Sequence, residues 1–152
     1  MRKLYFDIDG TLLIGDTGEA KAALADGAFE SAVRESSVDH LVCVGSFVDA
    51  GRAAREIDES YDIHDAIFKL CNGVISDEAW FRSMTSFVRD SYSRAAEIDL
   101  DEDWWFVDDL AEFFFGVVGL ENIFHLNNGR RILVPSANGD GADVLDWIRR
   151  MQ

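Results

Sequence analysis

The sequence predicts an α/β protein, a three-layer sandwich around a central, mainly parallel sheet, and three observations carry that prediction. Short apolar runs at 3–7, 40–45 and 104–107 suit strands buried on both faces. Segments with helical apolar spacing lie between and after them, as parallel strands joined by covering crossovers require. Each run also ends at a polar residue, at Asp7, Ser46 and the pair Asp108 and Asp109. The chain has 152 residues, 48% of them apolar, which is enough for one ordinary domain with a substantial core. Residues 1–152 are therefore read as a single domain.

Taken in order, KLYFD at 3–7 is an apolar and aromatic strand that ends in an acid. The Gly- and Thr-rich segment 10–18 favours a tight turn or small hairpin over a helix. From Glu19 to Glu35, Leu24, Ala28, Ala32 and Val33 recur near the helical period and predict a covering helix. HLVCVG at 40–45 is a second, β-branched strand. Residues 47–97 are mostly helical in pattern, with Trp80, Phe81, Met84, Phe87 and Val88 on one predicted face, read as core packing. The acidic stretch 97–103 leads into the strand WWFV at 104–107. Leu110, Phe113, Phe114, Val117 and Val118 have helical spacing, closed by Gly119. NIFHL at 122–126 and RILV at 131–134 are read as strands, and Val144, Leu145, Trp147 and Ile148 mark a closing amphipathic helix.

Charge and composition narrow the function classes. Fourteen Lys and Arg against 29 Asp and Glu leave a formal net charge of -15, which repels phosphate backbones and anionic lipid. A nucleic-acid polymer is a poor partner for such a chain, whereas a small anionic substrate remains allowed once a divalent cation reverses the field locally. No stretch approaches the roughly 18 apolar residues of a membrane span. Cys43 and Cys71 sit in apolar surroundings and suggest buried thiols rather than a disulfide framework. The expected compartment is the cytoplasm.

Parallel sheets bind ligands beyond the carboxyl ends of their strands, so Asp7, Ser46, Asp108 and Asp109 are placed to converge. Carboxylates brought together repel one another unless a cation neutralises them. A few hard oxygen ligands favour Mg²⁺. Each residue also has a bland reading: Asp before Gly is common in turns, Ser46 could cap the helix that follows, and Asp108 and Asp109 could cap helix 110–118. The three strand ends taken together argue against those readings.

FDIDGTL at 6–12 resembles the first motif of the haloacid dehalogenase (HAD) superfamily, a hydrophobic strand followed by DxDGT and an apolar residue. VCVGS at 42–46 and WWFVDD at 104–109 resemble its later motifs, a strand ending in Ser or Thr and a strand ending in paired acids, in the same order. The resemblance implies a Rossmann-like HAD fold and a Mg²⁺-dependent phosphomonoester phosphatase working through an aspartyl-phosphate. Asp7 would be the nucleophile and Asp9 the general acid and base. Mg²⁺ would be held by Asp7, the backbone carbonyl of Asp9, and Asp108, with Asp109 ligating through water or orienting a ligand. Ser46 and Thr11 fall on the phosphate-binding side, Ser46 donating its hydroxyl and Thr11 bracing the turn.

The superfamily also places a cation, usually Lys, between the Ser and paired-acid motifs. Lys69 is the only Lys in that interval and lies well upstream of the usual place, so Arg89 is favoured, with Lys69, Arg82 and Arg94 as alternatives. Only segment 12–18 is available as a flap, which implies a minimal cap. Such a site suits a bulky or protein-borne phosphate, or cover from region 47–97 or from a second subunit. The alternative function is a catalytically weak or inactive binding or regulatory module on the same fold. A phospho-accepting receiver domain ranks last, because it needs an early acid pair and a late Lys.

Overall fold

The computed structural model describes residues 1–13, 25–71, 73–136 and 141–152. It is an α/β sandwich around a five-stranded, all-parallel sheet. The strands are β1 (Arg2–Phe6), β2 (His40–Cys43), β3 (Thr85–Phe87), β4 (Asp103–Val107) and β5 (Ile132–Leu133), in the spatial order β3-β2-β1-β4-β5. The helices are α1 (Ala28–Glu35), α2 (Ser46–Ile57), α3 (Ile63–Leu70), α4 (Glu78–Met84), α5 (Ala111–Val117), α6 (Glu121–Asn127) and α7 (Ala142–Arg149). A short 3₁₀ helix, Arg94–Glu97, precedes β4.

The alternation of side chains along the central strands builds both faces of the core. Tyr5 of β1 and Phe106 of β4 lie side by side in register, and Phe106 packs edge-on against Phe115 of α5, with ring centroids 5.0 Å apart. Phe6, the next residue along β1, points the other way and meets Phe29 of α1 at 5.1 Å. Helices thus cover both faces, with α1 and α7 packed together on the Phe29 side and α5 and α6 on the other. Burial on both faces is why these strands read as continuous apolar runs.

Sheet order decides where a site can form. The chain runs outward from β1 through β2 to β3, then crosses back to the other side of β1 for β4 and β5. The reversal lies between β1 and β4, and a doubly wound sheet opens its crevice at that point, beyond the carboxyl ends of the two strands. Phe6 is paired with Val107, so Asp7 and Asp108 leave the sheet next to each other.

Three expected elements differ. NIFHL is helix α6, not a strand, and only its Phe124 is buried. Leu126 stays 68% exposed, so the run has one inward position and no partner strand to satisfy. The expected helical stripe from Trp80 to Val88 breaks after Met84, and Thr85–Phe87 pairs with Leu41–Cys43 as the edge strand β3. There, pairing with a sheet edge overrides local helical spacing. The helix expected over 19–35 is described only as Ala28–Glu35, and Leu24 and residues 14–18 of the expected flap lie outside the described residues. Among the described residues no helix is long and apolar enough to cross a membrane.

Candidate active site

The carboxylates of Asp7, Asp108 and Asp109 each offer an oxygen within 4.8 Å of the others. Asp7 directly follows β1 and its amide donates to the Val107 carbonyl, which keeps it in line with β4. Asp108 follows β4, is fully buried, and accepts from the Leu110 amide at 2.9 Å. That contact closes a turn ahead of α5, whose N-cap residue is Leu110 with no side-chain capping bond, so Asp108 does not cap the helix.

The other Asp108 oxygen is held by Arg94. Its Nη1 lies 2.7 Å from Asp108 Oδ2 and 3.9 Å from Asp7 Oδ2. The guanidinium stacks over the Phe114 ring at 3.6 Å, and Nε donates to the Ser91 carbonyl at 2.5 Å. Arg94 is 5% exposed. A planar, permanently charged fork can serve two acids and a ring at once, which a Lys cannot. Arg94, one of the alternatives, thus occupies the place expected of Arg89. Arg89 is exposed, and its backbone amide donates to the Glu97 carboxylate. Lys69 is tied to Asp65, and Arg82 to Asp62 and Glu78, all away from the three acids.

Two glycines make the crowding sterically feasible. At Gly45, after β2, φ is +127°, and a Cβ there would collide with Asp7 Oδ1. At Gly10 φ is +78°, and a Cβ would collide with the Asp109 carboxylate. Both positions combine a backbone that L-residues avoid with a close approach to an acid. Gly10 also turns the chain after Asp9: its amide donates to the Leu13 carbonyl at 2.7 Å, while the amides of Thr11, Leu12 and Leu13 all donate to the Ile8 carbonyl. That turn brings Asp9 back to the cavity that Asp7 lines.

The cavity holds about 190 Å³ and is lined by Asp7, Asp9, Ser46, Arg94, Asp109 and the apolar pair Leu110 and Phe114. Ser46 is the exposed first residue of α2, follows the N-cap residue Gly45, and lines the cavity. Thr11 is fully buried behind the turn and does not line the cavity. Its hydroxyl finds no partner among the described residues.

Sequence reasoning missed Ser91. Its hydroxyl accepts from the Gly45 amide at 3.1 Å and donates to the Gly45 carbonyl at 2.5 Å, fastening the loop that carries Arg94 to the end of β2. Nothing in the local pattern distinguishes it from other loop serines; its only cue is a position three residues before a buried Arg.

Electrostatics follow from this packing. Burial, reinforced by Asp108, pushes the Asp7 carboxyl up to about 8, although Arg94 and the Ile8 amide pull the other way. Burial and the neighbouring Asp108 push Asp109 up to about 6. One guanidinium does not balance three acids. The all-oxygen donor set and this surplus of negative charge fit a small hard divalent cation such as Mg²⁺, with Asp7, Asp108 and Asp109 as its holders. Comparison with protein-family models, with curated proteins and with solved structures gives no match, so the function of this centre rests on its own geometry.

Proposed function

We propose that the protein is a Mg²⁺-dependent phosphomonoester phosphatase of the HAD type, with Asp7 as nucleophile. The observation that supports it best is the grouping of Asp7, Asp9, Asp109 and Arg94 around one small cavity at the sheet's reversal point. In this reading the Asp7 carboxylate attacks phosphorus in line, the new O–P bond forms, and the bond to the leaving oxygen breaks. Asp9, on the turn beside it, gives its proton to that oxygen. Asp9 then takes a proton from the water that releases phosphate and restores Asp7. Arg94 holds Asp7 and Asp108 in place and offsets charge on the phosphoryl oxygens, and Ser46 donates a hydrogen bond to one of them. A bound Mg²⁺ would neutralise the crowded carboxylates and share the charge of the transferring group. Two buried free thiols, Cys43 and Cys71, fit a reducing compartment such as the cytoplasm.

A second reading, a binding or regulatory module without turnover, draws on Asp108, whose two oxygens are already engaged by Arg94 and the Leu110 amide, contacts that compete with a catalytic metal. Hydrolysis of an aryl phosphate with and without Mg²⁺, by the native chain and by Asp7→Asn, separates the two. The phosphatase reading expects metal-dependent turnover that falls at least about a thousandfold in Asp7→Asn. Folded native protein that hydrolyses none of a panel of phosphomonoesters, with or without Mg²⁺, would establish the second reading instead.

A further inference from the structure

A second cleft opens beside the cavity that holds the acids. It encloses about 410 Å³ and is lined by Asp109, Leu110, Glu112, Phe113 and Val134, so Asp109 and Leu110 form a wall common to both spaces. Its apolar members are strongly exposed: Leu110 by 55%, Phe113 by 53% and Val134 by 39%. Exposed Tyr92 extends the patch, its ring edge-on to Phe113 at 6.3 Å between centroids. Single exposed apolar residues are ordinary, but a contiguous group opening into a polar centre marks a surface that binds something.

The charge of the cleft restricts what that something is. Its only charged lining residues among those described are Asp109 and Glu112, both acidic, while the cation that can meet a phosphoryl group, Arg94, lines the neighbouring cavity. A second phosphate or a carboxylate seated here would face the Glu112 carboxylate, with no cationic side chain lining the cleft among the described residues.

We infer that this cleft seats the leaving group of the substrate, and that the leaving group is an uncharged aromatic or similarly apolar ring. The inference rests on the phosphatase reading for the identity of the neighbouring group, the phosphoryl held by Arg94 and Ser46. A ring leaving the cavity past Leu110 lies against Phe113 and Val134, with Tyr92 beyond. It gains apolar burial and edge or stacking contact with Phe113. Substrate choice is then set by a positive element, the apolar wall, and a repulsive one, the Glu112 carboxylate.

Hydrolysis-inert phosphonates test this without relying on turnover. Calorimetric titration of the full chain with Mg²⁺ present would compare methylphosphonate, benzylphosphonate and 4-carboxybenzylphosphonate. The expected result is a Kd for benzylphosphonate about tenfold or more below that for methylphosphonate. The added carboxylate should cancel most of that advantage, and Glu112→Gln should return part of it. Phe113→Ala, a change at an exposed position, should cut the benzyl-to-methyl ratio to about threefold or less. Equal affinities for the methyl and benzyl compounds, or a ratio untouched by Phe113→Ala, would overturn the assignment. Aryl phosphate turnover combined with equal phosphonate affinities removes the cleft and keeps the phosphatase. Ring-dependent binding without turnover does the reverse, and no binding by any phosphonate removes both.

Discussion

Burial, Asp108 and Asp109 all disfavour the charged form of Asp7. Its pKa in the fold, about 8, lies far above the ordinary carboxylate value. Between those two values the folded chain keeps a proton that the unfolded chain has already released. Stability without metal therefore falls as pH rises through that window, by at most about 1.4 kcal/mol per pH unit for one proton. A divalent cation displaces that proton, so Mg²⁺ should raise the Tm more at pH 8 than at pH 5. Thermal scans at both pH values, with Mg²⁺ and with chelator, check this; an equal Mg²⁺ effect at the two pH values would contradict it. The acids were legible because each ends an apolar run. Arg94 was harder to single out, since in an irregular loop sequence distance from Asp108 carries no information about spatial distance, and Arg89 lies in the same loop, only five residues before it.

The loop between β3 and β4 shows how an element without regular pattern can govern geometry. Ser91 closes two hydrogen bonds on Gly45, Arg94 closes one on Ser91, and both side chains are buried. Ser91→Ala leaves the buried Gly45 amide without that partner, at a cost of about 1 to 3 kcal/mol. Urea denaturation should show a lower midpoint with an unchanged slope. A midpoint within error of the native chain would mean that the loop is held by its other contacts. β3 and α6 were misread for related reasons. TSF is too short to have a period, and its state is set by the open edge of β2. NIFHL has strand-like residues, but a single buried side chain lets it close a helix against α5 instead.

For the molecule as a whole, the alternation of strands and helices was enough to read an α/β layer structure with a parallel sheet, because crossovers leave few topologies open. Strand order was not legible from pattern, since buried strands look alike wherever they stand in a sheet. The formal charge of -15 is a further property of the whole chain. Self-repulsion of that size opposes compaction and is screened by salt. Raising monovalent salt from a few millimolar to about 0.15 M, where the Debye length is about 8 Å, should raise the Tm in the presence of chelator. A Tm that falls with salt would show that the surface ion pairs, such as Arg82 with Asp62, outweigh the repulsion.

The central place of β1 also has a consequence for how the chain folds. β1 pairs with β2 on one side and with β4 on the other, so one half of its pairing is local and the other spans most of the sequence. Contacts of high sequence separation pay their loop-closure entropy before they are rewarded, and they form late. Before β4 pairs, Asp7 therefore stands at an open edge of β1 without Asp108 and Asp109 beside it. Pairing of β4 with β1 is thus also what brings Asp108 to Asp7, so the contact of highest sequence separation in the central sheet is the one that creates the charged centre.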